Sequence, residues 1–318
     1  MDVLNKRLKP LGEVIKEISP AEQIKLDARA KLDEMGAFTL DKLMPLIRLE
    51  NKEIEASMIE TKAFFLPKIR PGQIYTLVGT TNSGKTWNAL GSSISWAREG
   101  KEVVHISTED SINDIISYMD TMPDKDELYA RIRFIFIEQE TPETLMDKLV
   151  LFAAAGYEIY TFDYIRASVI AGHDGNLHLT MNKWYNVLRA FLNLYRVAIV
   201  AYIQANASMY KGDLVKKLME DPESILTGLD GGYTPALRSQ VLAMLVKNDS
   251  GERGMVILKA KFPYTDSLYK IKKYNIDGSN FQLTYEDREY SVAEFFGVNN
   301  PQDMSSVVKT KAVRKSLV

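Results

Sequence analysis

The stretch that decides the fold is Gly79-Thr80-Thr81-Asn82-Ser83-Gly84-Lys85-Thr86, which fits the phosphate-loop pattern G-x-x-x-x-G-K-[ST]. The apolar run 74–78 lies directly before it and is typical of a strand buried on both faces. Residues 86–98 follow it with helical spacing. Because a phosphate-binding loop connects a strand to a helix, this context separates the motif from a glycine-rich turn that matches by chance.

Each residue type in this loop has a physical role in binding a nucleoside triphosphate. Glycines allow backbone N–H groups to converge on phosphate oxygens at a helix N-terminus. Lys85 is expected to place its ammonium group beside the β- and γ-phosphates, and the hydroxyl of Thr86 can bind Mg²⁺. The sequence therefore predicts ATP and Mg²⁺ as cofactors, with a nucleotide-binding set formed by Gly79, Thr80, Thr81, Asn82, Ser83, Gly84, Lys85 and Thr86.

Composition narrows the classes of protein further. The chain has 318 residues, of which 46% are hydrophobic and 10% aromatic, so it can bury a sizeable core and is neither largely disordered nor fibrous. Its 40 Lys and Arg nearly balance 42 Asp and Glu, so any contact with nucleic acid must come from a local basic surface. The absence of cysteine excludes a disulfide scaffold, a cysteine-ligated metal site and a thiol nucleophile. We expect a cytoplasmic protein without membrane partners, because residues 1–17 are too charged for an export signal and the longest apolar runs are strand-length.

Strand-like and helix-like segments alternate from residue 74 onward. The predicted strands are 74–78, Val103–Ser107, 132–137, 159–163 and Ala198–Gln204, and the predicted helices between them are 86–98, 111–120, 142–155 and 179–195. This alternation predicts an α/β fold with a mostly parallel sheet flanked by helices and with ligands at the carboxyl ends of the strands. After a polar stretch that ends near residue 237, the pattern favours antiparallel strands at Val241–Lys247, 255–261 and 270–275.

Two acidic residues follow predicted strands and are candidates for the chemistry of hydrolysis. Asp163 ends an apolar strand, which is the placement needed to hold the magnesium shell through water. Glu109 comes just after the strand that ends at Ser107. Its neighbour Asp110 has a local explanation, because it precedes Ser111, which with Asp114 predicts a capping box. We therefore expect Glu109 to orient and polarise the attacking water.

Four motifs in chain order resemble those of the RecA/DnaB superfamily of oligomeric motor ATPases. The motifs are the loop 79–86, Ser107-Thr108-Glu109-Asp110-Ser111, Phe162-Asp163-Tyr164-Ile165 and Ala201-Tyr202-Ile203-Gln204. The closer likeness is to DnaB-type replicative helicases, over about residues 65–283. The resemblance implies a RecA-like P-loop core and a homo-oligomer, in the DnaB case a hexameric ring, with ATP sites between subunits.

The resemblance also assigns roles to residues beyond the loop. Gln204 looks like the family's sensor, an amide near the γ-phosphate that couples the nucleotide state to the adjacent loop. Lys259 and Lys261 are two positions apart on a predicted strand and so share a face, where two ammonium groups call for a common polyanion. In the family such a pair reaches the nucleotide of the neighbouring subunit. The DnaB pattern here is usually Lys-x-Arg, whereas Lys-x-Lys is more like the RecA recombinases.

Two segments are expected to contact nucleic acid. By the resemblance, 166–183 and 208–238 correspond to the two central DNA-facing loops, and lysines on such loops suit a sequence-independent grip on phosphates. The candidate residues are Arg166, Lys183, Lys211, Lys216 and Lys217. Exposed surface lysines with no ligand remain the alternative interpretation.

Three segments are predicted along the chain. Residues 1–62 form helical N-terminal arms, in which 41–62 is a candidate linker helix that docks on the next subunit; an ordinary helical subdomain is the alternative. Residues 63–285 form the RecA-like ATPase domain. Residues 286–318 form a C-terminal tail that is partly flexible and basic at its end.

The function favoured by these observations is an ATP-hydrolysing motor that moves on single-stranded nucleic acid, as a DnaB-like replicative DNA helicase does. Its expected partners are single-stranded DNA, with RNA not excluded, and a primase or loader, in a host cytoplasm if the chain is phage-encoded. A RecA-like recombinase that forms a filament on single-stranded DNA is the first alternative. A nucleotide-gated ring or assembly protein without a nucleic-acid function is the second.

Overall fold

The structure is a computed structural model that describes residues 57–79, 83–108, 111–137, 142–165, 177–205, 214–227, 229, 234–261 and 264–298. The described residues belong to one compact unit, which begins at Ser57. Most of the predicted N-terminal arms and the end of the predicted tail lie outside this part of the chain, so those two predictions stay open.

Strands form the centre of the unit. In chain order they are β1 (Ile59–Glu60), β2 (Lys68–Ile69), β3 (Gln73–Gly79), β4 (Val103–Ser107), β5 (Ile132–Phe136), β6 (Ile159–Ile165), β7 (Ala198–Gln204), β8 (Val241–Lys247), β9 (Arg253–Ala260), β10 (Ile271–Ile276) and β11 (Leu283–Tyr290). Among the described residues, β3 to β11 form one sheet in the order β11-β10-β9-β8-β3-β7-β6-β4-β5. The strands from β8 to β5 in this order are parallel, and β8 to β11 pair in antiparallel fashion. The predicted mixed architecture, with its antiparallel C-terminal side, is confirmed.

Helices cover both faces of this sheet. They are α1 (Lys85–Arg98), α2 (Ile112–Met119), α3 (Lys125–Arg131), α4 (Pro142–Ala154), α5 (Leu177–Leu194), α6 (Leu214–Glu220), α7 (Glu223–Leu226), α8 (Thr234–Arg238) and α9 (Val292–Phe296). Successive residues of β3 point to opposite faces, so Ile74 packs into a core with α4 and α5, and Tyr75 into a second core with α1. No helix in the described part of the chain combines the length and apolarity needed to span a membrane.

The predicted cap of α2 is confirmed in detail. The Ser111 hydroxyl accepts the backbone N–H of Asp114 at 3.2 Å, and the Asp114 carboxylate accepts the backbone N–H of Ser111 at 3.3 Å. Two N–H groups that helix geometry leaves without partners are thereby satisfied. The cap fixes where the chain turns after β4, at the edge of the sheet where the site lies.

The prediction that helical structure extends to residue 62 is wrong at its C-terminal end. Residues 59–60 form β1, which pairs with β2 in an antiparallel ribbon with Ile59 opposite Ile69. Residues 63–67 of the segment between the two strands are all apolar, and Phe64 and Phe65 are buried beside Trp96 of α1. Burying such a continuous apolar run requires the chain to fold back onto the core, which an amphipathic helix would not do.

The C-terminal side of the sheet also extends further than predicted. β11 runs through the boundary placed between residues 285 and 286, and α9 follows it with a Ser291–Glu294 capping box. The sequence of β11, LTYEDREY, is charged and mostly exposed, so it lacks the apolar alternation by which strands are recognised. The ordered domain therefore includes residues that were assigned to the tail.

Thr61 offers a test of how the β1–β2 ribbon is anchored. Its buried hydroxyl accepts the Trp96 indole N–H at 2.8 Å and the Ala63 backbone N–H at 3.0 Å. Thr61→Val keeps the shape but leaves both donors without an acceptor, so we expect a loss of roughly 2–4 kcal/mol in the free energy of unfolding. Thr61→Ser, which keeps the oxygen, is the matched control in chemical denaturation. Equal stability of the two variants would contradict this account of the anchor.

Candidate nucleotide-binding site

The predicted site lies where four parallel strands end side by side. In the sheet order β3-β7-β6-β4, Gly79 at the end of β3 pairs with Gln204 at the end of β7, and Asp163 in β6 pairs with Ser107 at the end of β4. The carboxyl ends of parallel strands share one edge of a sheet, where ligands bind in open α/β folds. The fold thus brings residues from separate motifs of the sequence to one edge.

The loop after β3 turns directly into α1. Gly84 has a φ of 87°, in the left-handed region that glycine adopts without steric cost, and it precedes the first helical residue, Lys85. No side chain caps the N-terminus of α1, so its first N–H groups are directed toward the edge where phosphates are expected. Thr80, Thr81 and Asn82 lie outside the described residues, and their predicted role stays a prediction.

Gly79 is a glycine because the chain has no room for a side chain there. A Cβ atom at this position would lie 2.8 Å from Cγ of Lys85 and closer still to the hydroxyl of Ser83. Its carbonyl accepts the backbone N–H of Ala205 at 3.0 Å, so β3 and β7 remain joined up to the point where the loop begins. The first residue of the motif therefore allows α1 to approach the end of β3.

Lys85 and Gln204 meet at this edge. The buried side chain of Lys85 donates from Nζ to Oε1 of Gln204 at 2.7 Å, and the same Nζ lies 5.2 Å from the ring centroid of Tyr164. The sequence predicted roles for Lys85 and Gln204 from separate motifs but assigned none to Tyr164. An aromatic residue directly after Asp163 is the signal that could have indicated it, because a ring face attracts a cation.

Asp163 and Thr86 are the residues that the sequence predicts to hold a magnesium ion. Asp163 is fully buried in β6, which packs against α1, and Thr86 is the second residue of that helix. A carboxylate and a hydroxyl are ligands that Mg²⁺ prefers, with the remainder supplied by phosphates and water. The described residues contain no cluster of three His, Cys, Asp or Glu side chains that could hold a metal ion. The donor set fits the predicted ion.

Hydrogen bonds join the residue after β4 to the end of β6 at the site. The Asp163 carbonyl accepts the backbone N–H of Thr108 at 2.8 Å, and the Thr108 hydroxyl donates to the carbonyl of Tyr164 at 2.9 Å. Glu109, the predicted base, follows Thr108 directly but lies outside the described residues. Its role therefore stays a prediction that its position in the chain supports.

Lys259 and Lys261 lie at the opposite edge of the sheet. β9 runs antiparallel to β8, and Ala260 at its end pairs with Val241, which itself pairs with Tyr75 near the start of β3. Four residues of strand separate Tyr75 from Gly79, or about 13 Å along the sheet. Partial burial lowers the pKa of both lysines, and the charge of Lys261 lowers that of Lys259 further. The structure does not bring this pair to the phosphate loop of its own subunit.

The predicted nucleic-acid residues are described only in part. Lys183 is exposed on α5, and Lys216 on α6 forms a surface ion pair with Glu220 at 3.7 Å. Lys217 is half-buried on the same short helix. Arg166 and Lys211 lie outside the described residues. Whether these residues form one nucleic-acid-binding surface therefore stays a prediction.

Gly79 provides a test of the loop itself. We expect Gly79→Ala to weaken ATP binding by roughly tenfold or more, about 1.4 kcal/mol, because the added methyl group displaces Ser83 and Lys85. Titration calorimetry with ATP measures this. Gly278→Ala is the matched control, since nothing lies within 4 Å of a Cβ placed there. Equal affinity of both variants for ATP would show that the loop tolerates the side chain.

Comparison with known proteins supports the fold. No family model matches the chain, and no curated protein matches it in sequence. The solved structure of a KaiC-like protein, PH0186, from Pyrococcus horikoshii OT3 is similar over 72% of this chain and 98% of its own, with a TM-score of 0.53 and 16% identity. A second solved structure, the ATPase domain of another protein, is similar over 78% of this chain and 99% of its own, with a TM-score of 0.60 and 11% identity. At these identities the likeness is one of fold alone, and it confirms the predicted RecA-like core.

Proposed function

We propose that the chain is the ATP-hydrolysing motor of an oligomer that translocates on single-stranded nucleic acid, most closely in the manner of a DnaB-like DNA helicase. The observation that carries the proposal is the 2.7 Å hydrogen bond from Lys85 to Gln204. It links the lysine of the phosphate loop to the last residue of β7, and β7 leads into the segment expected to face nucleic acid. ATP arriving at Lys85 would therefore change the contacts of Gln204.

Hydrolysis requires groups that bind the triphosphate and position water. In this proposal Lys85 and the N–H groups at the start of α1 bind the phosphates, and Thr86 and Asp163 would hold Mg²⁺. When bound, the ion compensates charge on the β- and γ-phosphates. Glu109 orients the attacking water, and the amide of Gln204 contacts the γ-phosphate once Lys85 turns from Gln204 toward that phosphate.

The phosphate loop and the Lys259–Lys261 pair lie at opposite edges of the sheet, and this placement supports an oligomer. The phosphate loop lies at the carboxyl edge of the parallel strands, whereas Lys259 and Lys261 lie at the amino edge. Subunits that associate head to tail would bring the lysines of one copy to the nucleotide of the next. Heterologous contacts of this kind produce rings if they close and filaments if they do not. A hexameric ring is the arrangement we propose.

One observation favours a second candidate. Lysine at both positions 259 and 261 is more like the RecA recombinases than the DnaB-type Lys-x-Arg pattern. A recombinase would use the same ATP residues and assemble as a filament on single-stranded DNA. Imaging of the ATP-bound complex with a single-stranded oligonucleotide separates the two, since a helicase forms closed rings and a recombinase forms continuous helical filaments.

The proposed motor predicts that single-stranded nucleic acid stimulates ATP hydrolysis several-fold. Steady-state turnover is measured with single-stranded DNA, with single-stranded RNA and with neither. Lys85→Ala, which removes the predicted phosphate-binding ammonium, is the background control and should show no turnover. Hydrolysis by the unmodified protein that neither polymer changes would contradict the motor and would favour a nucleotide-gated assembly protein.

A further prediction concerns the coupling between ATP binding and stimulation by single-stranded DNA. Gln204→Ala removes the amide that accepts from Lys85, so we expect ATP affinity to change little while stimulation by single-stranded DNA is lost. Gln282→Ala on the exposed surface is the control and should respond as the unmodified protein does. If Gln204→Ala keeps full stimulation, the Lys85–Gln204 contact is not the link between nucleotide and nucleic acid.

A further inference from the structure

Two arginines that no motif indicated join the lysine pair at the amino edge of the sheet. Arg189 lies near the end of α5, and Arg238 is the last residue of α8. Together they line a recess at the start of β3, beside Gly72 and Gln73. Partial burial lowers the pKa of Lys261, and the charges of both arginines lower it further. Four cationic side chains thus gather around one edge.

No described carboxylate neutralises this group. The ion pairs among the described residues use other lysines and arginines. Like charges that are brought together repel one another unless an anion is shared between them. The unfavourable clustering of Arg189, Arg238, Lys259 and Lys261 therefore indicates a polyanionic ligand.

Hydrogen bonds fix the backbone on which these cations lie. Nζ of Lys259 donates to the carbonyl of Ala236 in α8. The backbone N–H of Lys261 donates to the carbonyl of Gln240 at 2.9 Å, and the Gln240 N–H donates to the carbonyl of Ile74 at 2.7 Å. Arg238 lies between Ala236 and Gln240 and is half-buried. Its position is consequently set by the same strand that carries the lysines.

Arg238 has the chemistry that the lysines lack. A guanidinium group offers a planar fork of donors that can contact two phosphate oxygens at once, whereas an ammonium group is a point charge. We propose that Arg238, assisted by Arg189, supplies the guanidinium contact to the triphosphate bound on a second copy of the chain and completes the Lys259–Lys261 pair. This inference rests on the proposed ATPase and its head-to-tail assembly.

Exposed leucines at the same edge suit an interface with a second copy. Leu237 precedes Arg238 and is 62% exposed, and Leu194, at the end of α5 beyond Arg189, is 75% exposed. Apolar side chains beside charged groups that contact a partner are a common composition of such surfaces. Covering these leucines would also exclude water from the phosphate contacts, which strengthens them.

The first experiment measures turnover and nucleotide affinity separately. We expect Arg238→Ala to lower kcat by about a hundredfold or more while ATP affinity changes only a few-fold, as for an arginine that stabilises transition-state charge. Arg238→Lys keeps the positive charge but loses the planar set of guanidinium donors, so its kcat should lie between those of Arg238→Ala and the unmodified protein. Arg133→Ala, on the distant edge strand β5, is the matched control and should be unaffected. Normal kcat in Arg238→Ala would overturn the proposal.

The second experiment distinguishes an effect across the interface from a defect within one subunit. Arg238→Ala keeps an intact phosphate loop, and Lys85→Ala keeps an intact cationic edge. Subunits mixed in equal amounts should form competent sites at about a quarter of their interfaces, so activity should rise above that of either variant alone. Absence of any rise, with both variants folded by thermal unfolding, would overturn the proposal.

The two experiments distinguish a failure of the nucleic-acid motor from a failure of the Arg238 contact. Complementation without stimulation by single-stranded DNA or RNA would retain the shared ATP site and reject the nucleic-acid motor. Stimulation without complementation would retain the motor and reject Arg238 as a contact to the neighbouring nucleotide.

Discussion

The close approach of α1 to the end of β3 is the constraint on which the rest of the site depends. A Cβ atom at Gly79 would collide with Ser83 and Lys85, so the loop can fold back onto the strand only with glycine in that position. The approach buries the stem of Lys85 and directs its ammonium group to Gln204 on the neighbouring strand. Because β7 lies next to β3 and β6 lies next to β7 in the sheet, Gln204 and Asp163 then share the edge with the loop.

The topology of the sheet gives its two edges different chemistry. Parallel strands place the phosphate loop and the strand-end polar residues at the carboxyl edge, while the antiparallel return of β9 carries Lys259 and Lys261 back to the amino edge. A single subunit therefore holds the phosphate loop on one side of the sheet and the lysine pair on the other. In the proposed oligomer, a triphosphate bound at the phosphate loop of one subunit would supply the negative charge that the lysines of the next subunit contact.

Burial explains which parts of the fold the sequence predicts. The parallel strands are buried on both faces and appear as apolar runs, so β4, β7 and β8 have the predicted bounds. β1 and β2 are too short for any period to be visible, and β11 is too charged. In the site, Lys85, Gln204 and Asp163 belong to motifs and could be predicted. Arg189 and Arg238 are distant in sequence and meet only because α5 and α8 end at the same edge.

Two hydrogen bonds between α1 and β7 differ in a way that bears on coupling. Tyr202 donates to Asn88 at 2.6 Å, and both residues are fully buried. Burial, assisted by the nearby Tyr285 and Asp163, raises the pKa of Tyr202 well above its ordinary range, so the phenol keeps its proton and the bond persists at any physiological pH. The Lys85–Gln204 bond lies two residues further along β7, at the edge where phosphates would compete for the ammonium group. A change of nucleotide would therefore leave the helix tethered to the strand and alter only the end of β7, from which the chain continues toward the segment proposed to contact nucleic acid.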